Sequence, residues 1–109
     1  MSSTVFKGAI GTGTIQARFL SDFSNADSDL LTIAYSEIGG GGAAVDLATA
    51  SPGGFATVSV LAPAAGVLEV MVATGQANDS GRLEVTRDGI PVDAGAMMDS
   101  VRWVYSVQP

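Results

Sequence analysis

The chain has 109 residues, 47% of them hydrophobic and 15% charged, which fits one domain of the usual ~100–150 residues and excludes disorder. Eleven acids against five Lys and Arg give a net charge of −6, and no window clusters the basic side chains that nucleic acid or an anionic membrane surface would require. Without Cys or His there is no disulfide staple, no Ser-His-Asp or Cys-His catalytic arrangement and no ordinary zinc site.

Several short runs alternate apolar with polar residues between Gly, Pro, Asn and Asp, which is the signature of strands. The first two, Thr4 to Ile10 and Thr14 to Leu20, flank Gly11-Thr12-Gly13 and predict a hairpin in which Ile15, Ala17 and Phe19 share one face. The opening MSSTVFKGAIGTG lacks the basic start and apolar core of a secretory leader, so cytoplasmic synthesis without a signal peptide is expected.

A polar loop, Ser21 to Asp29, follows. Within it Asn25, Asp27 and Asp29 occupy alternate positions, as calcium loops offer oxygens at their first, third and fifth places. The glycine of an EF-hand is replaced by Leu30 and its closing acid by Ser36. The expectation is an irregular calcium site completed by Asp22 or by an acid from another loop such as Asp79, set against a solvated turn whose side chains bond local backbone.

Leu30 to Glu37 reads as a strand with Leu31, Ile33 and Tyr35 on one side. The four glycines Gly39 to Gly42 are followed by Ala43-Ala44-Val45 rather than by Lys and Ser or Thr, so they form no phosphate cradle and read as a loop. Ala43 to Ala50 is open to either helix or strand and is assigned as a strand on the alternation of Val45, Leu47 and Thr49.

Phe55 to Ala62 and Val67 to Thr74 surround Pro63-Ala64-Ala65-Gly66. The second is apolar on both sides and belongs in the middle of a sheet. The longest apolar passage, Val60 to Ala73, is interrupted by Pro63, Gly66 and Glu69 and falls short of the ~20 residues of a membrane helix.

Arg82 to Arg87 ends in Asp88-Gly89, a tight-turn pair, and Pro91 on the return strand makes that strand an edge. Val101 to Val107 closes the chain with Trp103 and Tyr105 on one face. The whole predicts an all-β, single-domain β-sandwich or jelly roll spanning residues 1–109, built of about seven or eight short antiparallel strands.

Chemistry-bearing residues are sparse. Carboxylates such as Glu69 or Glu84 would have to carry any hydrolysis alone, so no enzymatic activity is expected. Asn78-Asp79-Ser80 has the form of a glycosylation acceptor but matters only in a secretory pathway.

The stronger signal is for contact: Met97 and Met98 precede the strand bearing Trp103 and Tyr105, and such side chains provide adaptable interface area or, alternatively, plug and anchor the core. These features lead to the expectation of a non-enzymatic structural subunit. It would self-associate or decorate a larger assembly such as a virus particle or filament; the virion is one final location this allows, and the sequence itself names none. The alternative is a carbohydrate-binding module, assisted by calcium at Asn25, Asp27 and Asp29, that stacks sugar rings on Trp103 or Tyr105.

Overall fold

The structure, a computed structural model, describes residues 2–109. Nine strands and no helix are present among them: β1 (Ser2–Gly11), β2 (Gly13–Ser21), β3 (Asp29–Glu37), β4 (Ala43–Ala50), β5 (Phe55–Ala62), β6 (Gly66–Ala73), β7 (Ser80–Arg87), β8 (Ile90–Met98) and β9 (Ser100–Gln108). They form a sandwich of two sheets, ordered β1-β9-β6-β3-β4 and β5-β2-β7-β8.

Alternation places the inward set as expected. Ile15, Ala17 and Phe19 of β2, Leu31, Ile33 and Tyr35 of β3, and Leu68, Val70 and Val72 of β6 are all buried in one core. Burial of a Val, Leu, Ile or Phe side chain stabilises a fold by roughly 1.5–3 kcal/mol before chain entropy is counted.

β6 lies in the middle of its sheet, between β9 and β3. Its second face is not covered by another layer, however, and Val67 on that face remains exposed.

Two expectations of pairing are corrected. Thr4 to Ile10 and Thr14 to Leu20 do not make a hairpin, because Gly11 to Gly13 is a corner that sends β1 and β2 into different sheets. Nor is every pair antiparallel: β1 runs parallel to β9, so the first and last strands are neighbours. The β7–β8 turn matches its sequence, with Asp88 at φ 49° and Gly89 at φ 82°, both central residues left-handed as the tightest hairpins require.

The long sides of the sandwich are closed differently. On one side β4 turns Ala44, Ala48 and Ala50 inward, small enough to let it approach the four-stranded sheet, and β5 packs beside it. That approach also explains why an alanine-rich segment is a strand. Asp46 takes the remaining inward position, where its Oδ2 accepts the Ser59 N–H of edge strand β5 at 3.0 Å.

On the other side, register in the β1–β9 ladder slips between Phe6 and Gly8, and Gly8 sits at φ 101°. This bulge turns Lys7 toward β8, as bulges commonly re-aim a side chain.

Gly95 on β8 lies flush with Trp103: a Cβ there would meet the indole edge at 3.3 Å. Gly95→Val should therefore force the ring from its place and destabilise the fold by about 1–3 kcal/mol. Chemical denaturation followed by Trp103 fluorescence measures both effects, and an unchanged midpoint would show that the indole has room to move.

Candidate functional site

Three places gather polar or contact-forming side chains. The first is the end of the sandwich formed by the β2–β3, β4–β5, β6–β7 and β8–β9 connections. Asn25 and Asp29 are both buried there, with Asp29 0% exposed, whereas Asp27 points to solvent.

Asn25 behaves like a strand residue in side-chain form. Its Nδ2 donates to the Ser80 carbonyl at 2.8 Å while its Oδ1 accepts the Ser80 N–H at 2.8 Å. The same Nδ2 reaches Ser21 Oγ at 2.9 Å and Asp29 Oδ2 at 3.2 Å. The amide oxygen that a metal would need is thus engaged, and its nitrogen faces the carboxylate. Alternation along the chain brings Asn25 to Asp29 but does not make Asn25, Asp27 and Asp29 converge as three ligands.

The partner brought to Asp29 is Asp79, from the β6–β7 loop, 3% exposed. Gly75 permits the approach of these loops, since a Cβ there would fall 2.6 Å from that of Asp27, and its N–H donates to Asp29 Oδ1 at 3.1 Å. Burial, and then the neighbouring Asp79 carboxyl, push the Asp29 pKa above its ordinary value against the opposing hydrogen bonds from Gly75 and Asn25.

Asp79 Oδ1 accepts only a long bond from Ala26 N–H, 3.4 Å, and Oδ2 has no hydrogen-bond partner although it is buried. Nearby, Asp22 Oδ2 accepts Ser80 Oγ–H at 2.9 Å, and the Asp99 N–H and side chain tie the β8–β9 corner to the Asp79 carbonyl and Asn78 N–H.

The second place surrounds Trp103. Lys7 Nζ stands 4.0 Å above the indole centroid and 3.2 Å from Asp93 Oδ2, which also accepts the Tyr105 hydroxyl at 2.8 Å. Trp103, Tyr105 and Met97 are buried in the chain's own core; of the four expected contact residues only Met98, 62% exposed, presents its side chain outward. The core-anchoring role accounts for Trp103, whose closed surroundings leave no face for a sugar ring. Lys7 was not legible as its partner, because the bulge that re-aims it has no signal in alternation beyond Gly8.

The third place is the outer surface. Met98 lines an open groove of about 670 Å³ with Leu20 and Phe23. The neighbouring cleft, about 350 Å³, has Phe55 with Arg18 stacked 4.4 Å from its ring centroid, beside Gln16 and Glu84. Glu69, on the opposite sheet, is held bidentately by Arg102, both bonds 2.8 Å, so its carboxylate is already committed.

Comparisons with protein-family models, with curated proteins and with solved structures find no match to this chain.

Tyr105 supplies a pH test of the buried cluster. Burial, then the hydrogen bond to Asp93 and its negative charge, raise the phenol pKa far above the ordinary 10.0. A raised folded value means that the stabilisation is fully present below the unfolded value and is lost as pH rises toward the folded one. Stability should decline above about pH 10, and Tyr105→Phe should flatten part of that decline in denaturant titrations. Identical alkaline slopes for both proteins would detach Tyr105 from the effect.

Proposed function

We propose that this chain is a non-enzymatic structural subunit that associates with copies of itself through the outer face of its five-stranded sheet, as a building block of a particle or filament. The observation that carries this reading is the composition of that face. Cross-strand register aligns Val45, Ala34, Glu69, Val104 and Phe6 in one row, and Leu47, Thr32, Met71 and Arg102 in the next.

Phe6 is 80%, Val45 65% and Leu47 61% exposed. The two charges in these rows, Glu69 and Arg102, neutralise each other. A contiguous apolar face with its charges already paired loses little on desolvation against another apolar surface, whereas isolated exposed apolar residues would call for no explanation.

The groove around Met98, Leu20 and Phe23 lies on the other sheet and offers a second apolar surface. Two unlike surfaces on opposite sides suit head-to-tail contacts, which close into rings or extend into filaments.

Light scattering on the purified chain should give a mass well above 11.0 kDa. Val45→Lys with Leu47→Lys should reduce it to the monomer while leaving the β-rich spectrum and stability nearly unchanged, since exposed positions usually cost no more than about 0.5 kcal/mol. Wild-type protein that stays monomeric at high concentration would defeat the reading. Met98→Glu tests the groove separately.

A second reading, carbohydrate binding, is favoured by one observation: Phe55 is exposed within a cleft that also holds Gln16, Arg18 and Glu84. An aromatic ring among planar and acidic hydrogen-bonding groups is what a sugar requires. Titration with a glycan panel by NMR should then perturb Phe55 and Arg18, and Phe55→Ala should abolish the response. Silence of these residues across the panel would remove this alternative.

A further inference from the structure

We propose that Asp29 and Asp79 are the two carboxylate ligands of a divalent cation of the calcium class, held between the β2–β3 and β6–β7 loops. The argument begins with charge. Two carboxyl groups, 0% and 3% exposed, are gathered on one dipeptide, Asn25 Nδ2 donating to Asp29 Oδ2 and the adjoining Ala26 N–H to Asp79 Oδ1. Buried carboxyls side by side need either a compensating cation or a proton.

The lysine and the four arginines are placed elsewhere. Lys7 pairs with Asp93, Arg102 with Glu69, Arg87 donates to the Thr12 carbonyl, Arg18 stacks on Phe55, and Arg82 points outward from β7. Among the described residues none makes an ion pair with either aspartate.

The second observation is independent of the acidity. Asp79 Oδ2 is buried and receives no hydrogen bond, although the great majority of buried polar atoms in folded proteins have a partner. Asn25 and Gly75 donate to the Asp29 oxygens, and Ala26 to Asp79 Oδ1. Each Asp29 oxygen keeps a further lone pair, and Asp79 Oδ2 keeps all of its own.

The surroundings reinforce the sign. Asp22, Asp27 and Asp99 lie at the same end, and the segments 22–28, 51–54, 74–79 and 99 contain no Lys or Arg. This concentrates negative potential where the two buried carboxyls meet.

The donor set is all oxygen, which selects a hard cation. A larger ion with flexible coordination fits loops better than magnesium, which demands octahedral geometry and retains its water. Among the described residues no three acids converge on one point. Two carboxylates therefore carry the charge, and backbone carbonyls and water complete the roughly six to eight oxygens calcium takes.

The test uses the intact chain with calcium chloride, magnesium chloride and EDTA. Melting temperature should rise by roughly 10 °C when free calcium is a hundredfold above Kd, and by less in magnesium. Calorimetric titration should give one site per chain. Asp79→Asn should fold, because its amide can donate to Asp29, and should no longer respond to calcium. Asp27→Asn, altered only at the exposed carboxylate, should respond as the wild type does.

Coincident melting curves in calcium and EDTA, with no heat of binding, would overturn the proposal and leave a proton shared between the two carboxyls. A calcium response that survives in Asp79→Asn would also overturn it, by placing the ion on surface acids. Should Asp79→Asn fail to fold, the wild-type calorimetry and the Asp27→Asn comparison decide alone.

Discussion

The burial of alternate side chains between two sheets, with no third layer on either side, is the constraint from which the other features of this chain follow. One face of each strand is consumed by the core. The other must meet solvent or another molecule, and here much of it is apolar, as Phe6, Val45 and Leu47 show. A two-layer sandwich also leaves its long sides and ends open, where backbone groups and inward positions near the rim must be satisfied by something other than packing. Asp46 does this beside β5, Lys7 with Asp93 beside β8, and Asn25 with Asp29 and Asp79 at one end. Among the described residues the buried polar ones, Ser21, Asn25, Asp29 and Asp79, all lie at that end.

Trp103 shows how the closures bear on the core. Its ring is packed against Gly95, covered by the Lys7 ammonium and adjacent to the Tyr105–Asp93 pair. A cation over an aromatic face adds about 0.5–2 kcal/mol, more as water is excluded. The same residues would be poor material for an external contact, because moving any one of them exposes a charge or a polar group held by the others. Their composition resembles that of an interface only until their placement is known.

Much of the architecture was legible in the sequence because period-two alternation is a local property. It marked the strands, their inward residues and, through Val67 to Thr74, a central one. Asp88-Gly89 and Pro91 marked a hairpin and an edge by backbone chemistry alone. What alternation does not carry is the choice of partner. Gly11 to Gly13 can close a hairpin or turn a corner between sheets with equal ease, and the parallel β1–β9 pairing joins residues about a hundred positions apart. The end site was half legible for the same reason. Spacing drew attention to Asn25, Asp27 and Asp29, but a loop can point its side chains anywhere. Only the return of the chain through Gly75 decides that Asp79 joins Asp29 while Asp27 faces outward.

The distribution of charge separates the two proposed surfaces. Asp22, Asp27, Asp29, Asp79 and Asp99 crowd one end, whereas the two central rows of the five-stranded face carry only the self-neutralised Glu69–Arg102 pair. Long-range repulsion between copies, each of net charge −6, is therefore weakest for an approach that brings the apolar faces together and strongest for one that brings the acidic ends together. Charge placed in this way selects an orientation of association without adding affinity to it. A divalent ion between Asp29 and Asp79 would cancel two negative charges at the end and none on the face. Its effect on assembly would then be electrostatic, screened by salt over the Debye length of ~8–10 Å, whereas apolar burial on the sheet would persist as ionic strength rises. Salt dependence thus distinguishes an ion that tunes the approach of subunits from one that forms part of their contact.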